Sequence, residues 1–252
     1  MIGILVSKSP LVELAFRMQD KVLHWPIYLL SIIHEDLSSR ENMSRIKNLL
    51  ESSIKEFNDL SESVRVITNV DLSVSGGIVR AAKEYMTSEI LLGCGGMKTA
   101  STRLLGSVFD QLYKETQVLY ACNFRYFHEE IETMRILLPD LIEHEKTFDL
   151  IMTWISRLRI QSGGTIEIYT GGEISKNTTS ILRGRRKLKT VVSPQTDSFH
   201  KPSEDASRDI LHILILLRKL TVSYDPAYNS FVRKQIPLLE EGNFMLIVPG
   251  YE

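Results

Sequence analysis

Short runs of β-branched and other apolar residues alternate along this chain with longer stretches whose apolar positions recur every three or four residues. Residues 2–6 read as a buried strand and 11–23 as the helix that follows it. A second strand is predicted over 27–33. Over 44–57 the apolar residues Ile46, Leu49, Leu50, Ile54 and Phe57 share one helical face. The pattern then predicts a strand over 64–70, a helix over 77–86, a strand over 89–92, a helix over 108–114 and a strand over 117–121. These strands are apolar throughout rather than alternating, as in a parallel sheet covered on both faces.

The second half repeats the plan more loosely. Strands are predicted over 135–138, ending at Pro139, then over 165–170, 189–192, 210–217 and 244–248. Helices are predicted over 145–158, 178–183 and 230–236, the last stopped by Pro237. Residues 195–207 contain Pro and Ser and read as a loop. The polar and aromatic stretch 125–132 reads as a linker between domains 1–124 and 133–252. The fold class expected is α/β, with two tandem Rossmann-like domains, each a five-stranded parallel sheet with helices on both faces. An apolar last strand is an aggregation hazard at an open edge. Pairing of 117–121 with 244–248 would remove that hazard and make an intramolecular pseudo-dimer.

Composition narrows the function classes. The 252 residues are 43% hydrophobic and 24% charged, which suits a packed core. A net charge of −1 offers no general attraction to nucleic acid or anionic membrane, so no nucleic-acid partner is expected. Cys94 and Cys122 make no disulfide framework, which fits a reducing, cytoplasmic setting. The most apolar run, 210–217, contains His212 and falls far short of the ~20 residues of a spanning helix. No His-x3-His or Gly-x-Ser-x-Gly pattern occurs, and no carboxylate pair or general base flanks a loop of interest, so neither a metal site nor an enzyme is expected. His34-Glu35-Asp36 and His128-Glu129-Glu130 read as solvated loops. Arg183, Arg185, Arg186, Lys187 and Lys189 form a basic run that could meet lipid headgroups or an acidic partner only if the chain lay beneath a membrane.

The chemistry concentrates after the fourth strand, in Gly93-Cys94-Gly95-Gly96, nine residues, then Gly106-Ser107. Glycines let a backbone approach a phosphate and adopt positive φ. Free N–H groups at the following helix N-terminus favour an anion, and Ser107 adds a hydroxyl and a natural N-cap. This stretch, through Leu104-Leu105-Gly106-Ser107-Val108, resembles the nucleotide loop of the universal stress protein family, whose fold is adenine nucleotide alpha hydrolase-like. The resemblance implies that Gly93, Gly96, Gly106 and Ser107 contact ribose and phosphates of ATP or a related adenine nucleotide. It implies adenine-binding backbone at Ile32 or Ile33. Where such proteins commonly carry an Asp after the first strand, this chain has Ser7. In the second half, the segment from Arg218 to Tyr228 has no glycine, so that half reads as a degenerate copy without a pocket.

A narrower resemblance is to the cytosolic C-terminal region of bacterial cation/proton antiporters. It rests on Asp71-Leu-Ser-Val-Ser-Gly-Gly-Ile78, on Arg135-Ile-Leu-Leu-Pro139 with Glu143-His-Glu-Lys-Thr-Phe148 and Trp154, and on Thr221-Val-Ser-Tyr-Asp-Pro226. It implies a regulatory module at the inner face of the plasma membrane, with an N-terminal membrane transport domain as partner. A stand-alone tandem stress protein, and a scaffold that dimerises without binding nucleotide, remain the alternatives.

Overall fold

The computed structural model describes residues 2–4, 10–18, 25–37, 40–55, 64–93, 107–124, 131–162, 165–170, 190–193, 209–239 and 242–251. The chain divides into two compact units, the first giving way to the second between Gln117 and Val118.

The first unit contains β1 (Ile2–Ile4), α1 (Pro10–Met18), β2 (Ile27–His34), α2 (Arg40–Lys55), β3 (Val64–Asp71), α3 (Val74–Glu84), β4 (Glu89–Gly93) and α4 (Ser107–Leu112). Its strands lie in the order β3-β2-β1-β4, all parallel. Leu29 and Leu30 of β2, Leu14 of α1 and Ile90 and Leu91 of β4 are fully buried, so the apolar runs are the core.

Local chemistry explains the helix ends. Pro10 opens α1, where its missing N–H costs nothing. α3 begins three residues before the glycine at which the periodicity predicts its start, because Ser73 caps it. The Ser73 hydroxyl accepts from Gly76 N at 3.1 Å, and Ser73 N donates to the Asp71 carboxylate at 3.2 Å. The same helix ends with Met86 at φ 47 and Thr87 N returning to the Ala82 carbonyl at 2.9 Å. Gly77 has a packing reason: a Cβ there would lie 2.7 Å from Ile32 Cδ1 and 2.9 Å from its Cγ2.

The second unit contains β5 (Val118–Asn123), β6 (Thr133–Leu137), α5 (Phe148–Ser162), β7 (Thr165–Tyr169), β8 (Thr190–Ser193), β9 (Ile210–Ile215), α6 (Pro226–Gln235) and β10 (Asn243–Val248). The order is β5-β10-β9-β6-β7-β8. From β8 to β10 every pairing is parallel, and the order 3-2-1-4-5 of the Rossmann-like plan appears when strands are counted from β6.

The alternation predicts five parallel strands in each half, whereas the compact units hold four and six. The difference is β5. It runs antiparallel to β10 from Leu119↔Val248 to Asn123↔Phe244, the pairing expected of the two last strands. Tyr120 of β5 also stacks on Trp154 of α5, with ring centroids 4.4 Å apart and planes 9° from parallel. Hydrogen bonds and aromatic packing therefore tie β5 to the second unit.

That unit also carries a polar row. Glu167, Arg135 and His212 sit in register on β7, β6 and β9. Arg135 Nε donates to Glu167 Oε2 at 3.0 Å, and the Tyr169 hydroxyl donates to the same oxygen at 3.0 Å. Arg135 is buried, so its guanidinium needs the Glu167 carboxylate, which the Tyr169 hydroxyl in turn holds.

Candidate functional site

In an open α/β sheet, ligands bind beyond the carboxyl ends of the strands where the strand order reverses. The first unit reverses at β1, which pairs with β2 on one side and β4 on the other. Gly93 is the last residue of β4 and Ser107 the first of α4, so the glycine spacing spans a strand end and a helix start, as expected. Gly96, Gly106 and Ser7 lie outside the described residues, as do Cys94, the basic run, helix 178–183 and loop 195–207.

Gly93 has a local reason to lack a side chain. A Cβ there would lie 2.5 Å from Leu11 Cδ1, on the buried face of α1. The Leu11 branch is the movable partner, so glycine relieves crowding while keeping the strand end against α1. Ile32 and Ile33 lie near the carboxyl end of β2 and face opposite sides of the sheet, Ile33 buried and Ile32 half-buried against Gly77. They pair with Asn69 and Val70 of β3, whereas the last described register pair of β2 with β1 is Leu30↔Ile4.

Asp71, at the end of β3, was not among the expected site residues. Its carboxylate is largely buried, receives Ser73 N and faces Arg80 Nη2 at 3.0 Å. Arg80 is mostly exposed, so the pair contributes at most about 1 kcal/mol. The Asp71–Ile78 patch is the turn and cap that launch α3.

The second unit reverses between β6 and β9, and its crevice is filled from within. Leu217 N donates to Asn229 Oδ1 at 3.0 Å, and Asn229 Nδ2 donates to the Leu217 carbonyl at 2.7 Å. Arg218 is fully buried; its Nη1 donates to the Pro249 carbonyl and its guanidinium lies 5.0 Å from the Tyr251 ring centroid. Glu145, just before α5, accepts from Ser223 N at 2.8 Å and from the Ser223 hydroxyl. Gly250 N donates to Thr147 Oγ1 at 3.2 Å, and the Tyr228 hydroxyl to the Leu137 carbonyl at 3.1 Å. Burial, assisted by the Asp140 charge, pushes the Tyr228 phenol well above its ordinary pKa.

The glycine-free segment is thus a plug whose polar groups are satisfied by the connections after β6 and β9 and by the C-terminal tail. Sequence reasoning found its lack of glycine but not Glu145, Asn229 or the Leu137 carbonyl as its partners. The one readable signal was Asp225-Pro226, an N-cap followed by proline: Asp225 Oδ1 accepts from Ala227 N at 2.8 Å.

No protein-family model matches the chain, and no curated protein does. Solved structures do. A universal stress protein from Archaeoglobus fulgidus DSM 4304 superposes with a TM-score of 0.58 at 15% identity, covering 100% of this chain and 98% of that one. A provisionally assigned universal stress protein from Pseudomonas aeruginosa UCBPP-PA14 gives 0.61 at 9% identity, covering 98% and 91%. A functionally unknown protein from Pseudomonas aeruginosa PAO1 gives 0.61 at 9%, covering 98% and 92%. The fold is universal stress protein-like. At these identities the likeness concerns the fold alone. No helix among the described residues is long and apolar enough to cross a membrane.

Proposed function

We propose that this chain is a nucleotide-binding regulatory module with one adenine-nucleotide site, at the carboxyl ends of β1 and β4. The observation that supports the reading is the Gly-x2-Gly-x9-Gly-Ser spacing, with Gly93 closing β4, which flanks β1 at the strand-order reversal, and Ser107 opening α4. Gly93, Gly96, Gly106 and Ser107 would hold ribose and phosphates, and the backbone of Ile32 or Ile33 would hold adenine. Ser7, in place of a carboxylate, would relax selection for the nucleoside. The module binds rather than turns over ATP. Calorimetric titration of the full chain with ATP, ADP, AMP and cyclic dinucleotides tests this. Saturable binding, weakened at least tenfold by Gly96→Trp, is expected, and the absence of heat at millimolar nucleotide overturns it.

We further propose, on the patches at Asp71–Ile78, Arg135–Trp154 and Thr221–Pro226, that the module serves a cation/proton antiporter as its cytosolic C-terminal part. An upstream reading frame with several apolar segments of about 20 residues is the expected finding. A stop codon directly upstream would favour a stand-alone tandem stress protein instead. The self-filled second crevice favours a scaffold role for that unit, whichever holds.

A further inference from the structure

β3 is the outermost strand of the first unit's sheet, and among the described residues it is paired along one edge only, with β2. Its outer edge therefore presents a row of N–H and C=O groups that another strand can bond. Such edges are ordinarily kept from pairing by brevity, a bulge, a proline or a lysine. β3 has none of these. It is eight residues long, its register with β2 runs unbroken from Ile27↔Val64 to His34↔Asp71, and it contains neither proline nor lysine. By contrast β8, the outermost strand of the second unit, has four residues, and β5 and β10 cover each other.

The side chains of β3 identify the strand that fits. Val64, Val66, Thr68 and Val70 share one face, and they remain half-buried although α2 packs against that strand. The β-branched residues of a neighbouring strand would cover their outer flanks. Two charged residues of opposite sign lie toward opposite ends, the exposed Arg65 and Asp71, with Val66-Ile67-Thr68-Asn69-Val70 uncharged between them. A second β3 laid antiparallel about a two-fold axis through Thr68 sets Arg65 opposite Asp71 and Val66 opposite Val70, with Thr68 opposite itself. Every residue then stays on its own face, whereas a slip of one position would exchange the faces. An in-register parallel pairing would instead oppose like charges. Asp71 already receives Ser73 N and faces Arg80, so an approaching Arg65 meets a carboxylate fixed in place.

We infer that this chain pairs with a second copy of itself through the outer edges of β3, the two strands antiparallel and the sheet of the first unit continuing across the axis. Main-chain hydrogen bonds supply the affinity, and the Val66–Val70 and Arg65–Asp71 pairs set the register. A strand edge is a small interface, so the dimer is concentration-dependent. It does not depend on nucleotide binding at the Gly93–Ser107 spacing.

Sedimentation equilibrium of the full chain, from about 1 µM to 1 mM, tests the inference together with amide hydrogen exchange at both ends of that range. A monomer–dimer equilibrium is expected, in which the alternate β3 amides that face away from β2 exchange more slowly at high concentration. Arg65→Glu, which opposes two carboxylates, should weaken the dimer at least tenfold, and Val66→Lys should weaken it further. Circular dichroism checks that each variant is folded. Arg65 is exposed, so its variant decides the matter if Val66→Lys unfolds. A monomer at all concentrations, a dimer whose β3 amides gain no protection, or a folded variant that dimerises as the parent does would each overturn it.

Discussion

The two strand-order reversals share a sheet plan but are finished with opposite materials. Beyond β9 the second unit packs Arg218, Asn229, Glu145, Ser223 and Tyr228 into the crevice, each with a partner in its own backbone or side chains. After Gly93, the last residue of β4, the sequence continues with Gly95 and Gly96. A crevice whose polar groups already bond one another offers a ligand nothing without breaking something. The comparison teaches that the glycine-free strand ends of the second unit carry more than a lack of glycine: they hold a polar network that stabilises the unit.

This contrast can be broken by mutation. Arg218→Ala should cost about 3 kcal/mol in denaturant unfolding, because a buried cation and its packing are lost and the Pro249 carbonyl is stranded. It should create no nucleotide binding. A variant that bound ATP would show the plug to be a removable lid. Asn229→Ala should cost about 2–3 kcal/mol by removing both hydrogen bonds that it makes with the buried Leu217 backbone. Asn229→Asp, which keeps the acceptor, should recover part of that.

In the first unit Gly77→Ala should cost about 1–2 kcal/mol, since the new Cβ meets three Ile32 atoms at 2.7–3.0 Å and Ile32 must shift. The shift would also move the proposed adenine-binding backbone, so nucleotide affinity should fall with stability, unlike in the second unit.

Tyr228→Phe should cost about 1 kcal/mol at neutral pH. It should also change the alkaline limb. The folded phenol holds its proton above the ordinary value near 10, whereas the unfolded chain releases it there. Above that pH the unfolded state binds fewer protons, so stability present below pH ~10 is lost as pH rises. Unfolding measured from pH 9 to 11 should steepen in the parent and flatten in the variant.

The smallest effect is expected from Gly93→Ala, below about 1 kcal/mol, because the Leu11 branch can yield. A large loss of nucleotide affinity with that small loss of stability would sharpen the distinction between the two crevices.

Much of the fold was legible in the chain. Strand cores such as 27–33, 64–70 and 244–248 lie within a residue or so of the observed Ile27–His34, Val64–Asp71 and Asn243–Val248. Helix starts were less legible where a cap overrode glycine. Ser73 accepting from Gly76 N sets the start of α3 against the low propensity of Gly76 and Gly77. The candidate site was legible as spacing, through Gly93 and Ser107, because glycine and serine at a strand end and helix start carry their meaning locally.

What the sequence determined by itself, then, was the alternation of strands and helices, the doubled plan and the asymmetry of glycine between Gly93 and Tyr228. All three are written in local periodicity and composition. Only the tertiary structure decided where β5 belongs, which residues answer Arg218, and which distant groups meet Ser223 and Tyr228. Those pairings join residues tens of positions apart, 78 between Glu145 and Ser223 and 91 between Leu137 and Tyr228. Burial selects the partners of such groups, and no local pattern records which distant backbone will arrive.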